Sequence, residues 1–166
     1  MELAIPDVVR RKAEVAGRTD WLDALPALVD ELAEQWGLTI GATFEGGTEA
    51  FVATCVDADG QRVALKMLVP QGSDVVAEEI TVLRLAGGHG CARLLRVDIE
   101  RGAMLLEHLG PSMFDLAMPY EQRLPILVDL AARIWRPAPD CGLPTGADKA
   151  RWLAGAPASS VFLMRS

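Results

Sequence analysis

A single cation, Lys66, interrupts an otherwise apolar strand pattern. Val63, Leu65, Met67 and Val69 alternate with Ala64, Lys66 and Leu68, the period-two signature of a β-strand. One face is wholly apolar and belongs to a core. The other carries a small residue at Ala64 and an ammonium two places on. A small residue leaves room for a flat ring, and an ammonium is a point charge suited to a phosphate. Upstream, Gly46-Gly47-Thr48 joins two further strand patterns, where glycine lets backbone N–H groups approach an anion closely. The same Gly-Gly text also serves an ordinary hairpin turn.

A second candidate group lies thirteen residues further on, at Glu79. At about 100° per residue, Val75, Val76, Val82, Leu83 and Ala86 all fall within about 60° of Glu79 on a helical wheel. A carboxylate on a core-facing stripe needs a cation or hydrogen-bond donors, because an unpaired buried charge costs several kcal/mol. Lys66 is the natural partner. The alternative is a glutamate bent out to water at the helix edge.

The elements that must position this pair can be read in chain order. Pro6 to Ala16 predicts a short helix. Trp21, Leu22, Leu25, Leu28, Val29, Leu32 and Trp36 form one helical stripe closed by Gly37. Pro26 inside that stripe predicts a kink or two short helices. Strand patterns at 38–44, 50–56 and 61–69 follow, the last two joined at Asp59-Gly60, a hairpin-turn signal. A helix then runs to about Ala86, Arg93–Asp98 and Ala103–Glu107 read as strands, and His108–Ser112 leaves the sheet. Pro119 to Trp135 predicts a helix with Leu124, Leu127, Val128, Ala131 and Trp135 inward. Pro137-Ala138-Pro139 signals a linker, and Ala147–Leu153 a short helix.

Composition bounds the possibilities. The chain has 166 residues, 51% hydrophobic and 23% charged, which is globular rather than disordered. A net charge of −7 argues against a general nucleic-acid binder, although a nucleotide site needs only a local cation. Cys55, Cys91 and Cys141 are few and widely spaced, with no CxxC pair and no metal-ligand spacing to His89 or His108. This usage favours a reducing, cytoplasmic setting. Cys55 falls within a strand pattern and reads as a small buried hydrophobe. No apolar run approaches the roughly 18 residues of a membrane span.

A helix glutamate tied to a strand lysine beside a small-residue hairpin resembles the small lobe of protein-kinase-like folds. Val63-Ala64-Leu65-Lys66 is similar to the Val-Ala-Ile-Lys strand of that family. Glu79-Ile80-Thr81-Val82-Leu83-Arg84 resembles an E-x-x-x-L-R segment of the streptomycin and hydroxyurea phosphotransferases. Gly102-Ala103-Met104-Leu105-Leu106-Glu107-His108-Leu109-Gly110-Pro111-Ser112 resembles their G-A-L-L-L-E-R-L-G-P-S hinge, with His108 where an Arg is usual. Leu143 to Leu153 fits their linker into the large lobe. The resemblance runs from about Leu3 to Leu153.

It implies an α+β fold: a protein-kinase-like N-terminal lobe with a five-stranded antiparallel sheet and one packed helix. N-terminal helices precede this lobe, and the start of a helical large lobe follows. The expected segments are 1–37, 38–109, 110–153 and a non-matching tail, 154–166. It further implies that Lys66 holds the α- and β-phosphates of ATP, Glu79 fixes the lysine, and Gly46, Gly47 and Thr48 cover the phosphates. Glu107, His108 and Leu109 would bind adenine through backbone groups. The family's reaction moves the γ-phosphate of ATP to a hydroxyl of an aminoglycoside such as streptomycin, or to hydroxyurea, with Mg2+, and so confers resistance.

One departure stands out. No His-x-Asp occurs in these residues, whereas the family's catalytic aspartate sits in a His-Gly-Asp loop. Asp140-Cys141-Gly142 has the form of a metal-binding Asp-x-Gly, but in a proline-flanked linker it reads as a turn. No catalytic or metal-binding residue is therefore expected here, and the tail from Gly155 reads as a premature or frame-shifted ending. The expectation is an ATP-binding part with no turnover of its own, self-associating through an exposed face that includes Met118, Trp135 and Trp152. Two alternatives stay open: a non-catalytic nucleotide-binding or interaction module on this fold, or a kinase for another small alcohol such as choline or a sugar.

Overall fold

The computed structural model describes residues 3–45, 50–71, 73–135, 137–138 and 140–155. Five strands are present: β1 (Thr39–Thr43), β2 (Ala50–Val56), β3 (Arg62–Leu68), β4 (Leu94–Asp98) and β5 (Ala103–Glu107). The helices are α1 (Asp7–Val15), α2 (Thr19–Trp36), α3 (Ser73–Ala86), α4 (Tyr120–Ile134) and α5 (Gly146–Gly155). The strands form one antiparallel sheet in the order β1-β2-β3-β5-β4. This α+β arrangement is that of a kinase-like N-terminal lobe. The chain divides into two units, Met1–Arg136 and Pro137–Ser166.

Local chemistry fixes the connections. Gly37 closes α2 in the left-handed conformation (φ 67°), and Leu38 N–H reaches back to Ala33 O at 2.8 Å. In the β2–β3 turn, Asp57 Oδ1 accepts from the N–H groups of Asp59 (3.0 Å) and Gln61 (2.8 Å). Gly60 there has φ 77°, which glycine adopts at little cost. Between Ile40 and Thr43 the β1–β2 register shifts. At this bulge Gly41 lies so close to Thr54 that a Cβ would meet its Oγ1 at 2.7 Å and its carbonyl oxygen at 3.1 Å.

The outer face of the sheet is the main core. Phe51, Ala53, Cys55, Val63, Leu65 and Met67 pack with Val9, Ala13, Trp21, Leu25, Val29, Leu32 and Trp36 of α1 and α2. Each large side chain fully removed from water there contributes about 1.5–3 kcal/mol. Burial also pushes the Cys55 thiol up, partly offset by backbone hydrogen bonds at Leu65 and Gly41, so Cys55 is a packed hydrophobe, as its strand position predicts. Polar ties reinforce the docking: Arg18 Nε donates to Pro70 O (3.1 Å) and an Arg96 guanidinium N–H to Trp36 O (3.1 Å). Arg101 bonds Asp98 (2.9 Å) and Gln35 (2.8 Å).

Pro26 does not divide α2, which runs unbroken from Thr19 to Trp36. Proline removes one helical hydrogen bond, but Pro26 lies on the exposed side of the helix, so its ring takes no part in the packing on the sheet. Leu25 and Val29, at 0% and 1% exposure, hold the helix to the sheet on either side of it.

The inner face packs α3, through Ala50, Leu68, Ile80 and Met104 with Val52, Val76, Leu83, Leu94, Val97 and Leu106. The helix is rotated from the wheel expectation. Val75 and Val82 are exposed, whereas Ile80 is buried. The apolar stripe of α3 is wider than the strip of sheet it meets, and the side carrying Val76, Ile80 and Leu83 wins the contact.

The α4 expectation needs a larger correction. The helix forms, but it has no buried residue, and Leu124, Leu127, Val128 and Trp135 are exposed. Its C-terminal turns lie against the segment after α3, where a Cβ on Gly90 (φ 81°) would meet Leu130 O at 2.8 Å. In the second unit, Thr145 and Asp148 cap α5 reciprocally. Thr145 N–H and Oγ1 donate to Asp148 Oδ2 at 2.8 and 2.6 Å, and Asp148 N–H donates to Thr145 Oγ1 at 3.2 Å. Asp140 and Gly142 are bends outside helix and strand.

Candidate functional site

Register places the candidate residues in two adjacent rows on one face of the sheet. Ala64 pairs with Thr54 on β2 and Leu106 on β5, and Lys66 pairs with Val52 and Met104. Residues two apart on a strand point the same way, so Ala64 and Lys66 share the inner face, the face that α3 covers in part. Ala64 is 9% exposed, and its methyl group is the smallest side chain of its row.

Lys66 Nζ donates to Glu79 Oε1 at 2.5 Å, with 24% and 28% of the two side chains exposed. Glu79 lies on the side of α3 that carries Val76 and Leu83, so the sheet packing that fixes the helix also fixes the carboxylate. The expected pairing, rather than a glutamate bent to water, is what the fold contains. Removing either partner would leave the other charge part-buried without its counter-ion, a costlier state than losing a surface pair. An ammonium has three N–H donors, so one bond to Glu79 leaves capacity for an anion.

At the far end of β5 the chain leaves the sheet through Glu107, His108 and Leu109. Glu107 is held twice by Arg93: its N–H donates to Arg93 O (2.8 Å), and its carboxylate accepts from Arg93 N–H (3.2 Å). Leu109 is exposed, and His108 is half-buried with its ring centroid 6.4 Å from that of Phe44. Neither Phe44 nor Arg93 is singled out by the sequence patterns. Parity counted from β2 would have flagged Phe44, because its N–H bonds Val52 O (2.9 Å), on the Lys66 row. Gly46, Gly47 and Thr48 lie outside the described residues, as does the side chain of Trp152. Among the described residues no group of three or more His, Cys, Asp or Glu side chains could hold a metal ion. No helix among them is long and apolar enough to cross a membrane.

A strand lysine paired to a helix glutamate, on a five-stranded antiparallel sheet that ends in an extended exit segment, is the arrangement of a kinase small lobe. Residues 35–157 match the model of the aminoglycoside/hydroxyurea antibiotic resistance kinases. The chain belongs to this family. The match begins near the end of α2 and extends past Leu153. The chain is 41% identical over 92 residues to a streptomycin 6-kinase of Streptomyces glaucescens, covering 55% of this chain. It is 41% identical over 103 residues, 62% of this chain, to a hydroxyurea phosphotransferase of Kitasatospora aureofaciens. A streptomycin 6-kinase of Streptomyces griseus is 38% identical over 92 residues. In each case the aligned segment spans 29% of the relative's length.

Proposed function

We propose that residues 38–109 of this antibiotic resistance kinase family member are an ATP-binding lobe. The observation that carries this is the Lys66–Glu79 ion pair, one row from Ala64 on the same sheet face. Lys66 would hold the α- and β-phosphates, with Glu79 fixing the ammonium so that little side-chain entropy remains to be lost on binding. Ala64 leaves space for the flat base, and Glu107, His108 and Leu109 offer backbone groups to its edge. Gly46, Gly47 and Thr48 would close over the phosphates.

The whole protein would transfer the γ-phosphate of ATP to a hydroxyl of an aminoglycoside such as streptomycin, or to hydroxyurea, in the cytoplasm. The two relatives' names support those acceptors. Phosphoryl transfer is largely positioning and charge neutralisation. These 166 residues contain no His-x-Asp. The chain alone therefore binds ATP without turning it over, and the exposed apolar residues around α4, Trp135 among them, favour self-association.

Two measurements test this. In isothermal titration the chain binds ATP, and Lys66→Ala weakens binding at least tenfold. In a coupled ADP-release assay neither streptomycin nor hydroxyurea gives turnover. ATP affinity unchanged in Lys66→Ala would remove the nucleotide role, and turnover lost in that variant would show that the chain holds a complete catalytic set.

A further inference from the structure

The Phe44–His108 ring contact is not explained by the fold alone. Between β1 and β5 lie β2 and β3. Three strand spacings separate them by about 14 Å in the plane of a flat sheet. Yet the ring centroids are 6.4 Å apart, with planes inclined by 41°. A bulge between Ile40 and Thr43 lies just before Phe44 and adds local bend and twist, while the Phe44 N–H stays bonded to Val52 O at 2.9 Å.

Parity sets the side. Phe44 is bonded to Val52, and His108 lies two residues beyond Leu106, the partner of Ala64. Both rings therefore belong to the face of Ala64 and Lys66. In register the row Thr54, Ala64 and Leu106 lies between the row of Phe44 and the position of His108.

We propose that Phe44 and His108 form a two-ring clamp for the nucleobase, with the phenyl and imidazole groups parting to take the base between them. This rests on the nucleotide reading above and adds side-chain roles to it. A base stacked on both sides needs about 3.5 Å to each ring, or about 7 Å between them. The rings need to open by only about 1 Å and lose their tilt to reach that spacing. Before binding they cover each other, which keeps Phe44, 44% exposed, from standing fully in water. An aromatic pair stacks on any base through its π-face, so the clamp contributes affinity for the base and none for the phosphates.

The test is titration of the full chain with ATP and, separately, with inorganic tripolyphosphate, which has charge but no base. Phe44→Ala and His108→Ala each weaken ATP binding about tenfold, as expected for loss of a stacking ring, while His108→Phe stays within about twofold of the parent. Tripolyphosphate binding is the same in all four proteins, and thermal melting confirms that each variant is folded. The clamp is overturned by a Phe44→Ala chain that binds ATP like the parent, by parallel losses for ATP and tripolyphosphate, or by His108→Phe binding as poorly as His108→Ala. A parent chain that binds no ATP at all would instead sink the nucleotide reading, and the clamp with it.

Discussion

Helices α2 and α4 carry similar amphipathic patterns and meet opposite fates. In α2, Trp21, Leu25, Val29, Leu32 and Trp36 are all buried. In α4, Leu124, Leu127 and Val128 repeat the pattern, but all three are exposed, as is Trp135 just beyond. The difference is the partner. The outer face of the sheet presents Phe51, Leu65 and Met67 to α2, and α4 touches the described chain through its C-terminal turns beside Gly90. Amphipathicity reports which face of a helix gains from burial. Whether that gain is realised depends on what else is present to cover it.

The two helices should respond very differently to loss of the same side chain. Leu25→Ala, at a site with 0% exposure, should destabilise the chain by about 2–5 kcal/mol, the usual range for truncating a buried leucine. Leu127→Ala, at 48% exposure, should change stability by no more than about 0.5 kcal/mol. Urea unfolding of the two variants decides it. Equal losses would mean that the α4 stripe is covered in solution, as self-association would do, and dilution would then separate the two cases.

A smaller effect is expected at Gly90. Its φ of 81° disfavours any side chain, and an added Cβ would meet the carbonyl oxygen of Leu130 at 2.8 Å. Gly90→Ala should cost about 1–3 kcal/mol through backbone strain, felt mainly as release of α4. Hydrogen exchange should show faster amide exchange in 120–134 with α2 unchanged. If α2 exchanges faster as well, the two helices belong to one cooperative unit, and the contrast drawn between them fails.

Much of the sheet was legible because its signals are local. Val63, Leu65 and Met67 alternate, Asp59-Gly60 marks a turn and Gly37 a helix end, and each rule depends only on near neighbours in sequence. The Lys66–Glu79 pair was legible for a different reason: a carboxylate on an apolar stripe demands a partner, and one cation was within reach. What failed was relative placement. The wheel of α3 placed Val75 and Val82 inward because a wide stripe does not say which of its sides meets the sheet. The α4 stripe was expected to be buried because a pattern records the need for a partner and not its presence. The ring contact of Phe44 with His108 joins the end of β1 to the exit from β5 across two intervening strands, and alternation along one strand reports nothing across a sheet.

The smallest expected effect concerns how helix ends are held. No side-chain hydrogen bond caps α2 or α4 at its N-terminus, whereas α5 is capped by Thr145 and Asp148. The Thr145 hydroxyl, followed by its N–H, holds the Asp148 carboxyl below its usual range. A carboxylate stabilised in the folded form contributes fully above its unfolded value, about 3.9. That contribution fades as pH falls through this value toward the lowered folded one. Acid should therefore loosen the first turn of α5 while α4, without such a cap, shows no matching change. Chemical shifts of the Thr145 and Asp148 amides, followed from pH 6 to about 2, should report a midpoint below the ordinary aspartate value. Asp148→Asn should abolish that titration. A midpoint at or above the ordinary value would mean that the cap does not persist in solution, and that the start of α5 is held no better than that of α4.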